Sequence, residues 1–143
     1  MTSAGRIDGF GKLIADDLQL SAFSGIGDPT GMTVSASHLD IETDTGDIVV
    51  DSVAVSDVTL QRLQTSGGDV HFTQSGAFDL DIIGSVTSGS TTFNGGSVTF
   101  DIEGDLTVSG VVSTLEGSGG QLNIGGATIN AAPILGAGDI TFS

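Results

Sequence analysis

The sequence predicts an all-β chain wound as a right-handed parallel β-helix, a β-solenoid of short strands with coils of roughly 20 residues. Three observations carry the solenoid reading. Apolar–polar–apolar segments recur along most of the chain, each entered through a turn-forming residue. These segments resemble one another, which an antiparallel sandwich does not require. Turn and strand formers dominate the composition: 23 Gly, 17 Ser and 16 Thr make up about 39% of 143 residues, while Lys and Glu, the usual formers of exposed helix faces, are scarce.

Taken in order, residues 1–17 are weakly patterned and are read as a partial cap. Residues 7–18 come nearest to a helical period, but Gly9 and Gly11 interrupt it. The repeat shaft runs over 18–143. It opens with Leu18-Gln19-Leu20 and Leu39-Asp40-Ile41. Then come Gly46-Asp47-Ile48-Val49-Val50, Asp57-Val58-Thr59-Leu60, Gly68-Asp69-Val70-His71-Phe72 and Phe78-Asp79-Leu80-Asp81-Ile82. The later units are Gly96-Ser97-Val98-Thr99-Phe100, Gly104-Asp105-Leu106-Thr107-Val108, Gly120-Gln121-Leu122-Asn123-Ile124 and Gly138-Asp139-Ile140-Thr141-Phe142. Period-2 alternation sends the apolar pair of each unit to one face and the residue between them to the other. The expected inward pairs are Leu39 and Ile41, Ile48 and Val50, Val58 and Leu60, Val70 and Phe72, Leu80 and Ile82. They continue with Val98 and Phe100, Leu106 and Val108, Leu122 and Ile124, and Ile140 and Phe142. Asn-Gly, the strongest hairpin dipeptide, occurs only at Asn94-Gly95, where an antiparallel meander would want several.

The composition also excludes functions. A net charge of −15 leaves few cations for phosphate, so neither nucleic acid nor an anionic membrane is an expected partner. With no Cys there is no thiolate chemistry, disulfide framework or Cys-ligated zinc. No segment approaches the ~20 apolar residues of a membrane span, so no membrane insertion is expected. Hydrophobic residues at 38% and a mean hydropathy of +0.28 argue against a disordered acidic chain. No apolar signal segment follows Met1, which fits either a cytosolic protein or a piece of a longer one; the repeats favour the piece.

The stretch Leu18-Gln19-Leu20-Ser21-Ala22, then Ser24-Gly25-Ile26-Gly27, Val34 to Leu39 and Thr45-Gly46-Asp47-Ile48, resembles the repeat region of filamentous haemagglutinin-like exoproteins. Thr65-Ser66-Gly67-Gly68-Asp69-Val70 and Ala137-Gly138-Asp139-Ile140 repeat its second half. Those proteins are large bacterial surface proteins exported by two-partner secretion. The resemblance implies a right-handed β-helical shaft that is adhesive or a rigid spacer, secreted or held at the bacterial cell surface. The secretion domain that begins such proteins is not recognisable here. The Gly-Asp and related anchors from Gly46 onward are 22, 28, 24 and 18 residues apart, so coil length varies.

Four groups of residues invite a chemical reading. Gly25-Ile26-Gly27-Asp28-Pro29-Thr30-Gly31 suggests a phosphate loop, but its third Gly is displaced and no βαβ unit follows. It is read as an irregular loop leaving the solenoid between two strands. His38 and His71 both fall at outward positions, without the strand-turn-helix elbow of a hydrolase nucleophile. Asp79, Asp81, Asp101 and Glu103 are the leading candidate calcium ligands, with Asp40/Glu42 and Asp44/Asp47 as further pairs, since a hard cation takes several oxygens and stacked coils can align carboxylates. The same acids also serve simply as a solvating surface, and no other cofactor is implied. Scattered outward Thr residues lack the regular ranks of an ice-binding face.

The expected function is therefore structural: a shaft segment of a secreted or surface-attached bacterial filament, not an enzyme. Its expected partners are stacking coils of the same or a longer chain, end-to-end copies of itself, and a host or surface glycan or protein receptor. A polysaccharide-binding or polysaccharide-active β-helix is the first alternative. The longest candidate loop, 83–97, carries Phe93 and no acid, which disfavours a catalytic cleft. A subunit polymerising end to end into a filament is the second alternative.

Overall fold

The computed structural model describes residues 1–88 and 96–114, and the backbone pairing of strands at 122–125, 129–131, 134–136 and 140–142. The strands follow in chain order. β1 is Thr2–Ser3, β2 Lys12–Ile14, β3 Asp17–Ala22, β4 Met32–Ser35, β5 His38–Thr43 and β6 Ile48–Val53. β7 is Val58–Thr65, β8 Val70–Ser75, β9 Leu80–Ser88, β10 Val98–Ile102 and β11 Leu106–Val108. The later strands are β12 (Val111–Thr114), β13 (Leu122–Gly125), β14 (Ile129–Ala131), β15 (Ile134–Gly136) and β16 (Ile140–Phe142). No helix occurs among the described residues.

Every strand pairing among these is parallel. The chain alternates between two sheets. One runs β1-β3-β5-β7-β9-β11-β14, with β12 and β15 continuing its outer rungs; the other runs β2-β4-β6-β8-β10-β13-β16. Each circuit thus crosses both sheets once and lies on the circuit before it, which is a β-solenoid. Residues 1–17 contribute β1, β2 and the start of β3, so the weakly patterned opening forms a short rung rather than a helix. Ile7 is buried and bridges to Ile26, which bridges in turn to Ile48.

Register explains why the inward residues repeat. Leu18, Leu39, Leu60, Ile82 and Val108 stack in one column of the first sheet. Ile48, Val70 and Val98 stack in the second. Fourteen of the expected inward residues, from Leu39 to Val108, are buried in a single core. Leu122, Ile124, Ile140 and Phe142 lie on paired strands, but their side chains fall outside the described residues. Phe72 and Phe100 sit opposite each other in register with ring centroids 5.9 Å apart at 56°.

The corners are built from the turn motif. At the end of three successive strands of the first sheet stand Thr43, Thr65 and Ser88, all buried and in register. The hydroxyls of Thr43 and Thr65 donate to the Gly46 carbonyl (3.2 and 2.8 Å), and that of Ser88 donates to Gly96 (2.6 Å). The turn carbonyls are thereby satisfied from inside.

The first sheet also acquires a kink as it grows. Asp40 follows Leu39 directly, but Gln61 intervenes between Leu60 and Arg62, a β-bulge. Ile83 and Gly84 intervene between Ile82 and Ser85, and Ser109 and Gly110 between Val108 and Val111. β7 and β9 are accordingly 8 and 9 residues long, against 6 in β3 and β5. Backbone crosses backbone so closely at this corner that a Cβ on Gly84 would lie 1.7 Å from the Gln61 carbonyl oxygen. One on Gly110 would lie 1.8 Å from that of Gly84.

Candidate functional site

The Asp of the repeated turn has a structural role. Asp47 Oδ1 accepts the Asp69 backbone N–H at 2.9 Å, and Asp69 Oδ1 accepts that of Ser97 at 2.7 Å. At the opposite corner, Asp57 Oδ1 accepts the Asp79 N–H at 3.2 Å, and Asp79 Oδ1 accepts that of Asp105 at 3.1 Å. Each carboxylate ties its own circuit to the next, as a helix N-cap satisfies an unpaired amide. Asp79→Ala is expected to cost about 1 kcal/mol in urea unfolding, whereas Asp79→Asn, which keeps an acceptor oxygen, should fall within ~0.5 kcal/mol of wild type. Equal losses for both would remove the carboxyl oxygen from the account.

The four leading calcium candidates are divided between the sheets. Asp79 and Asp81 flank Leu80 at the start of β9, and Asp101 and Glu103 flank Ile102 at the end of β10. Asp79 is engaged in the corner ladder, Glu103 Oε2 accepts the Gly76 N–H at 2.7 Å, and Asp81 accepts weakly from Ser109 Oγ at 3.5 Å. Among the described residues no group of three or more His, Asp or Glu is placed to hold a metal ion. Millimolar calcium is accordingly expected to raise the melting temperature no more than matched magnesium; a calcium-specific rise abolished by Asp81→Asn or Asp101→Asn would establish a site.

The most developed polar arrangement lies on the outer face of the first sheet. Gln19, Asp40 and Arg62 occupy one register row across β3, β5 and β7. Asp40 accepts both Arg62 Nε at 2.7 Å and Nη2 at 3.1 Å, and also Gln19 Nε2 at 3.1 Å. Arg62 Nη1 meets Glu42 Oε2 at 2.6 Å. The hydrogen bond that Arg62 donates to Asp40 is the main cause holding the guanidinium above its ordinary pKa; partial burial opposes it, and the charges of Asp40 and Glu42 add to it. Beside this row, His38 Nδ1 lies 3.2 Å from Asp17 Oδ1. Asp17, Gln19, His38, Asp40 and the bulged Gln61 line a shallow cleft of about 240 Å³.

His38 and His71 are exposed, as the alternation predicts, and lie on different sheets. His71 lines a second shallow depression with Pro29, Asp47, Asp69 and Thr99. In the first cleft acids, amides and His38 line the surface, and in the second acids, hydroxyls and His71 do, an arrangement suited to contacts with polar ligands. Sequence reasoning singled out Asp40 and Glu42 as an acidic pair but missed that Arg62 joins them. The available signal was the 22-residue spacing of Asp40 and Arg62, which equals that of the Gly46 and Gly68 anchors. No protein-family model matches the chain, and comparison with curated proteins and with solved structures finds no significant similarity.

Proposed function

We propose that this chain is a shaft segment of a secreted or surface-attached bacterial filament of the filamentous haemagglutinin-like kind, acting mechanically and without catalysis. The observation that supports this reading is the run of two parallel ladders over one aliphatic core. Such a body resists bending because each circuit is tied to its neighbours along both sheets, and it lengthens simply by adding circuits. The outward acids keep lateral faces apart and soluble. The polar cleft at Asp17, His38 and Asp40 is the face this reading offers to a receptor. Antibodies raised against the chain should label intact, unpermeabilised cells of the encoding organism along thin projections. Label found only after permeabilisation would overturn the surface assignment.

End-to-end polymerisation is the second reading, favoured because β1 and β2 each pair on one side only among the described residues. Sizing chromatography and electron microscopy across concentrations test it. Rods growing by whole chain lengths are the expected result under this reading; monomers at all concentrations would exclude it.

A further inference from the structure

The excursion at residues 27–31 is tied to the shaft through Gly27, whose N–H donates to the Ile7 carbonyl at 2.8 Å. Ile26 pairs with Ile48 and Met32 with Val50, so five residues fill a gap that the next circuit closes with Val49 alone. The loop leaves and rejoins the coil through Gly27 and Gly31, both left-handed at φ +74° and +84°. Within it, the Asp28 carbonyl oxygen accepts the Gly31 N–H at 2.9 Å. Asp28 Oδ1 accepts the Thr30 N–H at 2.7 Å and the Thr30 hydroxyl. Oδ2 takes no hydrogen bond among the described residues. These contacts close a Pro-containing turn. They also hold a carboxylate beside its own backbone carbonyl, with a donor already on that carbonyl's oxygen.

We propose that the Asp28–Pro29 peptide bond is an intramolecular cleavage site. Oδ2 attacks the Asp28 carbonyl carbon, closing a five-membered ring, and the Gly31 N–H stabilises the negative charge that develops on the carbonyl oxygen. The bond from that carbon to the Pro29 nitrogen then breaks. The nitrogen takes a proton from acidic solvent and leaves as a secondary amine. Asp28 is left as a cyclic anhydride, which one water opens to two carboxyl groups. The net change is the hydrolysis of one peptide bond, with no redox partner.

The surrounding charges set the pH behaviour. Arg6 donates to the Gly27 carbonyl and is the neighbouring cation. Asp51 faces Gly31, and Asp47, Asp69 and His71 share the depression beside Pro29. The Thr30 hydrogen bonds hold the Asp28 carboxyl below its ordinary pKa. It therefore remains a nucleophilic carboxylate as pH falls and acid becomes available to protonate the leaving nitrogen. Cleavage speeds up on acidification until Asp28 itself is protonated. Both new ends stay in the ladder, since the Ile26 N–H donates to Asp47 O at 2.9 Å and β4 pairs with β2 and β6. The product is a nicked but assembled solenoid.

The test is intact-mass analysis of the purified chain held for several days at about pH 5, beside a synthetic peptide of residues 24–34. The expected fragments are residues 1–28 and 29–143, together one water heavier than the chain, co-eluting until denaturant is added. Cleavage of the folded chain should be at least ~10-fold faster than that of the peptide. Asp28→Glu, which needs a six-membered ring, and Pro29→Ala should each slow it by about as much. In heavy-oxygen water the label should be shared between the two carboxyls of Asp28. A chain that stays intact, a peptide cleaved as fast as the chain, or label confined to the α-carboxyl would each overturn the proposal.

Discussion

Gly84→Ala is expected to lose the native β signal or to unfold at far lower urea than wild type. The added Cβ would stand 1.7 Å from the Gln61 carbonyl oxygen, a backbone atom held between the paired residues Leu60 and Arg62. No rotamer relieves the clash, so β9 must lift away from β7 along the corner. Overpacking against rigid backbone costs at least ~3 kcal/mol, a large share of the roughly 5–15 kcal/mol that holds a domain together. Gly5→Ala is the control: its Cβ would find only Ser3 Oγ, at 4.0 Å, and should change stability by less than ~0.5 kcal/mol. Far-UV circular dichroism and urea titration separate the two. Wild-type stability in Gly84→Ala would mean that β7 and β9 do not pack backbone to backbone at this corner.

Phe100→Ala is the second large effect, expected at about 3–5 kcal/mol by denaturant unfolding. Phe100 is 1% exposed and packs its ring against Phe72 in the circuit below. Truncation removes the buried area, leaves a cavity between parallel rungs and loses the ring pair, itself worth about 0.5–1.5 kcal/mol. Phe72→Ala combined with Phe100→Ala should cost less than the two single losses added together, because the same contact is deleted in both. Phe10, fully exposed between the Ile7 bridge and β2, supplies the contrast. Phe10→Ala should be near neutral, and a Phe100→Ala value equally small would remove Phe100 from the core.

The core was legible because strand alternation has a period of two and the inward residues are nearly all aliphatic. Leu39, Ile41, Val70 and Phe72 are read correctly from three neighbours each. Leu63 and Val86 were not, although both are fully buried. They lie beyond the bulges at Gln61 and at Ile83-Gly84, and an inserted residue resets the alternation without leaving a local mark. Asp47, Asp57, Asp69 and Asp79 were legible as turn residues but not as struts. Their partners are backbone amides 22 to 28 residues away, and a backbone amide carries no residue identity to read. The cluster at Asp40, Glu42 and Arg62 joins side chains that only the stacked register brings together, with the 22-residue spacing of Asp40 and Arg62 as its one trace in the sequence. Of the loop expected over 83–97, Ile83–Ser88 instead complete β9, and 89–95, with Phe93, lie outside the described residues. Of the Gly25–Gly31 stretch that the sequence suggested as a loop, Gly25 and Ile26 are held in the ladder and only 27–31 form the excursion.

The inserted corner makes successive circuits unequal in perimeter. β3 and β5 cross the first sheet without interruption, whereas β9 and the β11–β12 rung carry two extra residues at the bend. A copy stacked head to tail would therefore set a cornered rung against a straight one. Such a filament would carry a mismatched joint once per subunit, a regularly spaced weak plane at which tension or sonication should break it. Fragment lengths would then fall at whole multiples of one chain, a ruler written by Gly84 and Gly110.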